Sequence, residues 1–181
     1  MAKEKNTFLV PLHLACEKDG LRPAFNYVHF IDDFAYATDG HIAIESSIDY
    51  YCKVIDKHNL DGHSIHRDAY ALAAKCPTVV ATYEGLRCQT RGGAELFLPY
   101  ANMEQLGLRI PNIPSIMRGS AEPAVHIGIR PKYMAIFDKC LVHTGDSLRF
   151  TMQGEDKAIL VTSEGHEGQR GVWMPVMLTN F

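Results

Sequence analysis

The stretch Phe34-Ala-Tyr-Ala-Thr-Asp-Gly-His-Ile-Ala-Ile44 carries the clearest local pattern in this chain. Aromatic and small apolar residues lead up to Ala37, and apolar residues resume at Ile42. Between them, Asp39-Gly40 has the composition of a tight turn, since Asp accepts backbone hydrogen bonds and Gly adopts a positive φ at little cost. The stretch therefore predicts two antiparallel strands joined by a short turn.

The residues before this stretch predict a short helix and one further strand. Thr7 is a candidate N-cap, Pro11 fits a first helical turn, and Asp19-Gly20 ends the apolar pattern. Phe25-Asn-Tyr-Val-His-Phe30 is aromatic and β-branched, as strands commonly are. Residues 7–55 thus predict one helix followed by a small meander of strands.

The same order of elements recurs twice. Ser64 is a candidate cap for a helix that has one apolar face and ends at Pro77, and Pro131 is placed to open a third helix. A Pro- and Gly-rich connection over 107–124 separates these two units. The further predicted strands cover residues 78–83, 86–90, 94–98, 125–129, 147–152, 158–162 and 171–174. Such a chain is expected to be an α+β protein of three repeated units, whose sheets pair across units to cover their edges.

Composition narrows the class of protein. The chain has 181 residues, 46% hydrophobic and 22% charged, which favours a folded domain over a disordered segment. Its net charge of −3 excludes a uniformly basic nucleic-acid binder, although a local basic face stays possible. No apolar run is long enough for a membrane span, and Met1–Asn6 lacks the apolar core of a signal peptide. We therefore expect a cytoplasmic protein without membrane partners, whose five dispersed cysteines are reduced core thiols.

Three motifs point to a family. Ala37-Thr-Asp-Gly-His41, Arg109-Ile-Pro-Asn-Ile113 and Trp173-Met-Pro-Val-Met-Leu178 follow one another in this order. They resemble the ATDGHRLA-like, YPDY-like and final VMPMRL-like stretches of the bacterial sliding clamp, the β subunit of DNA polymerase III. Leu21–Phe30 also looks like the clamp strand that leads to the first motif. The resemblance runs through nearly the whole chain and implies a DNA clamp-like fold of about three half-domains.

The resemblance also implies a division of the chain. Residues 7–55 and 56–118 look like the two halves of the clamp's middle domain, and 119–181 looks like the second half of its last domain. We therefore predict a clamp-like domain over 1–118 and a clamp-like half-domain over 119–181. A full clamp subunit has six halves and closes into a ring as a dimer. A homo-oligomer of this shorter chain is possible, but the sequence does not fix the number of copies.

The first site that the resemblance implies is an apolar cleft for short peptides of replication or repair proteins. Its predicted residues are Thr38, Gly40, His41, Pro111, Met174, Pro175 and Val176. Met adapts to varied apolar side chains, Pro presents a rigid surface, and Gly permits close approach, so the chemistry suits peptide binding. Ile42 replaces the usual Arg and Met117 the usual Pro. The alternative is that the 38–41 segment is only a turn and Met174-Pro175 an ordinary edge strand.

The second implied site is a basic surface for duplex DNA, bound without sequence specificity. Its predicted residues are Arg67, Lys75, Arg130, Lys132 and Lys139. Such side chains contact phosphates without recognising bases. Because Asp68 and Asp138 dilute the same helices, an ordinary solvated face is the alternative.

Metal and catalytic chemistry have little support in the sequence. His58, His63 and His66 with Asp61 and Asp68 form no recognised ligand spacing, so we predict no metal and no cofactor. Nucleophile-elbow, Walker and dinucleotide motifs are missing from the sequence, so we predict no enzyme. The expected function is that of a sliding-clamp-like accessory protein of replication or repair. The alternative is a clamp-derived adaptor that binds peptides but not DNA.

Overall fold

A computed structural model describes residues 9–18, 20–51, 54–118, 128–141, 147–154, 157–164 and 166–176. The strands in these ranges are β1 (Tyr27–Ile31), β2 (Phe34–Thr38), β3 (Ile42–Ser47), β4 (Ser64–His66), β5 (Thr78–Ala81), β6 (Gly85–Gln89), β7 (Glu95–Pro99), β8 (Leu148–Thr151), β9 (Ile159–Ser163) and β10 (His166–Trp173). The α-helices are α1 (Ile48–Tyr51), α2 (Arg67–Ala73), α3 (Ile113–Ile116) and α4 (Met134–Leu141). Short 3₁₀ turns cover Leu12–Leu14, Pro23–Asn26, Lys57–Leu60 and Pro131–Tyr133.

The strands form two antiparallel sheets. One has seven strands in the order β4-β1-β2-β3-β10-β9-β8, and the other has three in the order β5-β6-β7. Each of the three predicted units contributes helical residues and a meander, which confirms the α+β prediction. Most of the predicted strand over 125–129 falls outside the described residues. Within them, Gly128 forms an isolated antiparallel bridge with Val176.

The first and third units are joined strand to strand. Strand β3 pairs with β10 in antiparallel register, from Ile42 opposite Trp173 to Ser46 opposite Gln169. Strand β4 of the second unit likewise pairs with β1 of the first. The prediction that sheets pair across units is therefore confirmed, and one sheet crosses the boundary predicted at residue 118. The division into two domains stays a prediction.

The Leu12–Leu14 turn and helices α2 and α4 pack on one face of the sheets. Leu12, Tyr70 and Phe137 come from three separate elements and meet in a single apolar cluster. The strands contribute every second residue to this cluster, for example Ile42 and Ile44 of β3, because side chains alternate across a strand. We call this face the helix side and the opposite face the outer side.

Trp173 anchors helix α4 to the joint between β3 and β10. Its ring is fully buried and lies 5.6 Å from the ring of Phe137 and 6.2 Å from that of Tyr133. Gly171 makes this packing possible, since a Cβ there would stand 2.6 Å from Phe137 and 2.9 Å from the carbonyl oxygen of Ala43. Because Trp173 and Phe137 share one apolar cluster with Ile42 and Ile44 of β3, side chains as well as strand pairing tie the third unit to the first.

On the outer side of the same joint, a buried carboxylate pairs with a partly exposed guanidinium. Glu45 on β3 lies opposite Arg170 on β10, and Arg170 Nε donates to Glu45 Oε1 at 2.5 Å. The Glu45 side chain is 4% exposed and that of Arg170 is 37% exposed. Burial, together with the neighbouring Glu45 carboxylate, raises the pKa of Tyr36. These polar groups depend on one another, since a carboxylate left alone in this position would be costly.

The described part of the predicted 107–124 connection, residues 107–118, is more structured than predicted. It contains the one-turn helix α3, and Ile113 and Met117 are buried on the outer side against Ala43 and Val172. Ile113 and Met117 are four residues apart, so one helical turn places them on the same face. The high Pro and Gly content led to the prediction of a connection rather than a helix.

Two helix predictions are wrong at their beginnings. The first unit has only a 3₁₀ turn at Leu12–Leu14, a segment too short to nucleate an α-helix, and the candidate cap Thr7 lies outside the described residues. In the second unit, Ser64 belongs to strand β4, and the ring of His66 caps α2 by accepting from the Asp68 amide. Residues that the periodicity alone assigned to the helix pair with β1 as a strand instead.

Ser64 instead holds a buried histidine. His29 Nε2 lies 3.0 Å from the Ala24 carbonyl oxygen, which can only accept, so Nε2 carries the proton. His29 Nδ1 then accepts from the Ser64 hydroxyl at 2.8 Å. Burial lowers the pKa of His29 from 6.5 to about 4. The folded protein therefore holds this imidazole neutral.

Replacing Arg170 by Ala should destabilise the protein strongly. The Glu45 carboxylate would stay buried without its cation, and we expect the free energy of unfolding in urea to fall by about 2 kcal/mol, less than for a fully buried pair because Arg170 is partly exposed. Arg149→Ala is the matched control, because Arg149 and its partner Glu164 are both largely exposed. That change should cost less than about 1 kcal/mol. Equal losses for the two variants would contradict the role given to the joint.

Acid should destabilise the protein through His29. Its pKa is lower in the folded state than in the unfolded chain, so between pH 6.5 and about 4 the unfolded state binds more protons. The contribution of His29 to stability is therefore complete above pH 6.5. It is lost as the pH falls towards 4, and the loss amounts to about 3 kcal/mol. Urea titrations across this range should show a smaller pH dependence for His29→Gln. His58→Gln, at an exposed position, should keep the wild-type slope, and an unchanged slope in His29→Gln would refute the assignment.

Candidate peptide cleft and basic surface

The 38–41 segment is a turn fixed by its own side chains. Asp39 Oδ1 accepts from the amides of His41 at 2.8 Å and Ile42 at 2.9 Å. The Thr38 hydroxyl donates to the Ile42 carbonyl and accepts from the Gly40 amide. Gly40 has a φ of +83°, a conformation that few other residues adopt. The turn that the residues predicted is present, and it holds His41 at a set place on the surface.

The end of β10 meets this turn. The Met174 amide donates to the His41 carbonyl oxygen at 2.7 Å, which continues the β3 and β10 pairing by one residue. Strand β10 lies between β3 and β9, and Met174 and Pro175 continue from its end. Met174 nevertheless keeps 39% of its surface exposed, and His41 is exposed beside it.

The other predicted cleft residues lie around this meeting point at varying depth. Val176 is exposed and its amide donates to the Gly128 carbonyl oxygen, while Pro175 is half-buried. Pro111 is half-buried two residues before Ile113, which packs on the outer side against Val172. The fold thus brings the first and third motifs into direct contact and the second onto the same joint.

A cavity of about 370 Å³ opens on the helix side of the turn. All three units contribute to its lining, which includes Lys18, Asp39, His41, Arg67, Lys132 and Tyr133. The ring of Tyr133 lies 6.0 Å from that of His41, and the Lys132 ammonium stands 4.6 Å from the Tyr133 ring centre. Burial raises the pKa of Tyr133, and the nearby Lys132 offsets part of this shift. The cavity is therefore lined by cationic and acidic side chains together with one buried aromatic ring.

Four of the five predicted DNA-facing residues are exposed on or beside the helices. Lys75 follows α2, Lys139 lies on α4, and Arg130 and Lys132 lie at its beginning. Lys75 and Arg67 also lie close enough to His13 to help burial lower the pKa of that imidazole. The acidic residues Asp68 and Asp138 are exposed on the same helices, as the sequence indicated.

Arg67 is placed differently from the other four. Its Nη1 donates to the backbone carbonyls of Cys16 at 3.2 Å and Glu17 at 3.0 Å. Its side chain is 18% exposed. The guanidinium ties the Leu12–Leu14 region to α2, so it is an internal support that reaches the cavity rather than a free surface cation.

Two of the histidines considered as metal ligands, His63 and His66, contact other protein groups. The His63 ring stacks on Tyr100 at 4.3 Å, and His66 caps α2. Across the ranges described, no three His, Cys, Asp or Glu side chains converge as metal ligands do. Four cysteines are buried and free, namely Cys16, Cys76, Cys88 and Cys140, while Cys52 lies outside the described residues.

Sequence reasoning missed Tyr133 and Arg22 as parts of this region. Tyr133 is buried in the helix-side cluster and also lines the cavity. Arg22 Nη2 donates to the Asp39 carbonyl at 3.3 Å and stands against Gly40. No local pattern signals such a contact, because it depends on the path of the Pro23–Asn26 turn.

Comparison with solved structures assigns the fold. The chain matches DNA polymerase III subunit beta from Pseudomonas aeruginosa with a TM-score of 0.59 at 14% identity, covering 94% of this chain and 63% of that one. It matches pol III beta of Caulobacter crescentus with a TM-score of 0.64 at 13% identity, covering 93% and 64%. The DNA polymerase sliding clamp of Bacillus subtilis gives 0.63 at 15% identity, covering 95% and 62%. The chain has the sliding-clamp fold.

The sliding-clamp fold is present here in shortened form, since the chain spans less than two thirds of the length of these structures. No protein-family profile and no curated protein sequence matches the chain. The fold predicted from the three motifs is therefore confirmed by structure alone. Within the described ranges, no helix is both long and apolar enough to cross a membrane.

Proposed function

We propose that this chain is a cytoplasmic, sliding-clamp-like accessory protein of DNA replication or repair. It contacts duplex DNA without sequence specificity through its helix side. It presents the cleft at His41 and Met174 to short peptides of partner proteins. It catalyses no reaction, as befits a sliding-clamp fold whose role is to hold other proteins at DNA.

The hydrogen bond between Met174 and His41 carries the cleft part of the proposal. It joins two motifs that are far apart in the chain, and both side chains stay accessible although the strands beside them are buried. Exposed Ile129 and Met134 add apolar surface in the neighbouring segment. A flexible Met-rich surface beside a rigid turn suits apolar peptide side chains.

The distribution of charge supports the DNA part. The chain as a whole is acidic, yet Lys75, Arg130, Lys132 and Lys139 are exposed on or next to α2 and α4, whose buried faces pack on the same side of the sheets. Lysine and arginine on helices can neutralise phosphates at any sequence. Arg67 is left out of this surface because backbone carbonyls occupy its guanidinium.

Griselimycin is a direct probe of the cleft, since solved sliding clamps of Pseudomonas aeruginosa and Bartonella birtlesii have been described bound to it. We expect the wild-type chain to bind griselimycin in a calorimetric titration. Combining His41→Ala with Met174→Ala should weaken this binding at least about tenfold, because both side chains form the proposed contact surface.

The matched control combines His58→Ala with Leu106→Ala, two exposed positions of the same residue classes away from the cleft. The control should bind like the wild type. A wild-type chain that does not bind, or a cleft variant that binds unchanged, would contradict the cleft proposal.

Duplex DNA of arbitrary sequence should bind with a strong dependence on salt. Reversing Lys75, Lys132 and Lys139 to Glu should weaken binding and lower the slope of log affinity against log salt by about 3, since each phosphate contact contributes about 0.9. Fluorescence anisotropy over a range of salt concentrations gives both quantities.

Reversal of Arg91, Arg109 and Arg118 to Glu makes the same change in charge at exposed positions in the β6–β7 turn and on either side of α3. This control should retain DNA binding. Equal loss in both triple variants would show a response to net charge only. If the wild type binds griselimycin but no DNA at low salt, the chain is the peptide-binding adaptor.

A further inference from the structure

The three-stranded sheet carries an open cavity on its outer side. On its helix side, Val79 and Leu98 belong to the apolar cluster, so the residues that alternate with them along the strands point to the outer side. In the seven-stranded sheet, Ile113 and Met117 of the α3 segment cover part of the outer side. Over the three-stranded sheet there is instead a cavity of about 570 Å³, whose lining residues all fall between 78 and 97.

Six outer-side residues, two from each strand, line this cavity. Its volume falls within the range of about 300 to 1,000 Å³ that is typical of small-molecule pockets. The six residues are Thr78, Val80, Arg87, Gln89, Glu95 and Phe97. They combine apolar groups with a cation, a carboxylate and hydrogen-bonding groups, which is the mixture that a small polar ligand with an apolar part requires.

Strand register places Arg87 between two apolar side chains. Val80 of β5 and Phe97 of β7 lie directly opposite it on the neighbouring strands. Because the Thr90 amide donates to the Ala94 carbonyl, the alternation along the ladder makes Arg87 and Phe97 a non-bonded pair, with Cα atoms about 4.5 Å apart. Phe97 is 50% exposed. A flat apolar group can therefore lie on Phe97 while its anionic part reaches Arg87.

The second row of the cavity places a carboxylate near this cation. Thr78, Gln89 and Glu95 lie opposite one another across the three strands. Glu95 is thus a diagonal neighbour of Arg87, at a spacing of about 7 Å. Among the described residues, neither Arg87 nor Glu95 has an ion-pair partner. A guanidinium and a carboxylate therefore line the cavity side by side, and both charges are free.

The balance of charge narrows the class of ligand. Glu84 also lines the cavity, so two carboxylates accompany one guanidinium, and multiply charged anions such as nucleotides would be repelled. A guanidinium binds a carboxylate through two parallel N–H donors, and a carboxylate accepts hydrogen bonds from an ammonium group. A ligand with one carboxylate and one ammonium group close together matches Arg87 and Glu95 at the same time.

We propose that this cavity binds a free α-amino acid with an aromatic side chain. Arg87 donates to the carboxylate of the amino acid, and Glu95 accepts from its ammonium group. Phe97 and Val80 contact its side chain, and an aromatic ring there gains a ring–ring contact with Phe97. The site shares no residue with the candidate cleft or with the proposed DNA surface, so it does not depend on either function.

Three related ligands test the two charges on the wild-type chain. L-Phenylalanine should bind saturably in a calorimetric titration. L-Phenylalaninamide lacks the carboxylate and N-acetyl-L-phenylalanine lacks the ammonium group, so each should bind at least about fivefold more weakly. The end of a peptide likewise carries only one of these charges, so the comparison separates a free amino acid from a chain terminus.

Two variants assign the charges to their residues. Arg87→Gln should weaken the binding of L-phenylalanine at least about fivefold. Arg91→Gln is the matched control, since Arg91 is exposed in the β6–β7 turn and does not line the cavity, and it should bind like the wild type. Glu95→Gln should weaken the binding of L-phenylalanine without weakening that of N-acetyl-L-phenylalanine, which has no ammonium group for Glu95 to accept from.

The proposal is overturned if L-phenylalanine shows no saturable binding up to its solubility limit, if both analogues bind as well as it does, or if a folded Arg87→Gln protein binds like the wild type. In an NMR titration the amide shifts should centre on residues 78–97, and shifts centred on His41 instead would also overturn it. The comparison of ligands uses the unmodified chain, so the test stands even where a variant fails to fold.

Discussion

The antiparallel pairing of β3 with β10 is the constraint on which the rest of this structure depends. It makes one sheet of two units that lie at opposite ends of the chain, and it leaves neither strand with an open edge. Trp173 and Gly171 secure helix α4 on one face of the joint, while Glu45 and Arg170 pair on the other. The same pairing runs on to Met174 and His41, so the candidate cleft is a direct product of the joint.

This dependence explains the placement of both candidate sites. The cleft lies where the joint ends, and its two sides are fixed by backbone hydrogen bonds rather than by flexible loops. The basic residues lie on or beside helices whose buried faces belong to the same apolar cluster as the joint's helix side. A peptide site and a DNA-facing surface are thus supported by one core, which fits a protein proposed to hold partners at DNA.

The sequence predicted much of the fold because its local signals agreed with the final pairing. Strands β2 and β3 flank a turn whose Thr38, Asp39 and Gly40 each have a local structural reason to be there. The predicted beginning of α2 was wrong because Ser64 pairs with β1 as part of a strand. This pairing depends on residues far away in the chain. Periodicity within a segment carries no information on such partners.

The candidate site likewise contains some residues that the sequence predicted and others that it did not. His41 and Met174 were singled out together from their motifs, and their contact follows from strand register. Arg67 was assigned to the DNA surface from residue type and helix position, whereas its guanidinium binds backbone carbonyls. Tyr133 and Arg22 joined the region only through tertiary packing. Residue type thus indicated the chemistry available, and only the fold showed which groups remain free.

Amide hydrogen exchange of the intact chain tests the central role of the joint most directly. The amides of Ala43, Glu45, Arg170 and Val172 bond across it. If the joint holds the fold together, these amides on both strands should exchange only through global unfolding, with one common free energy. Faster exchange of the β10 amides together with those of α4, while β1 and β2 stay protected, would show a third unit that opens by itself and would contradict the account.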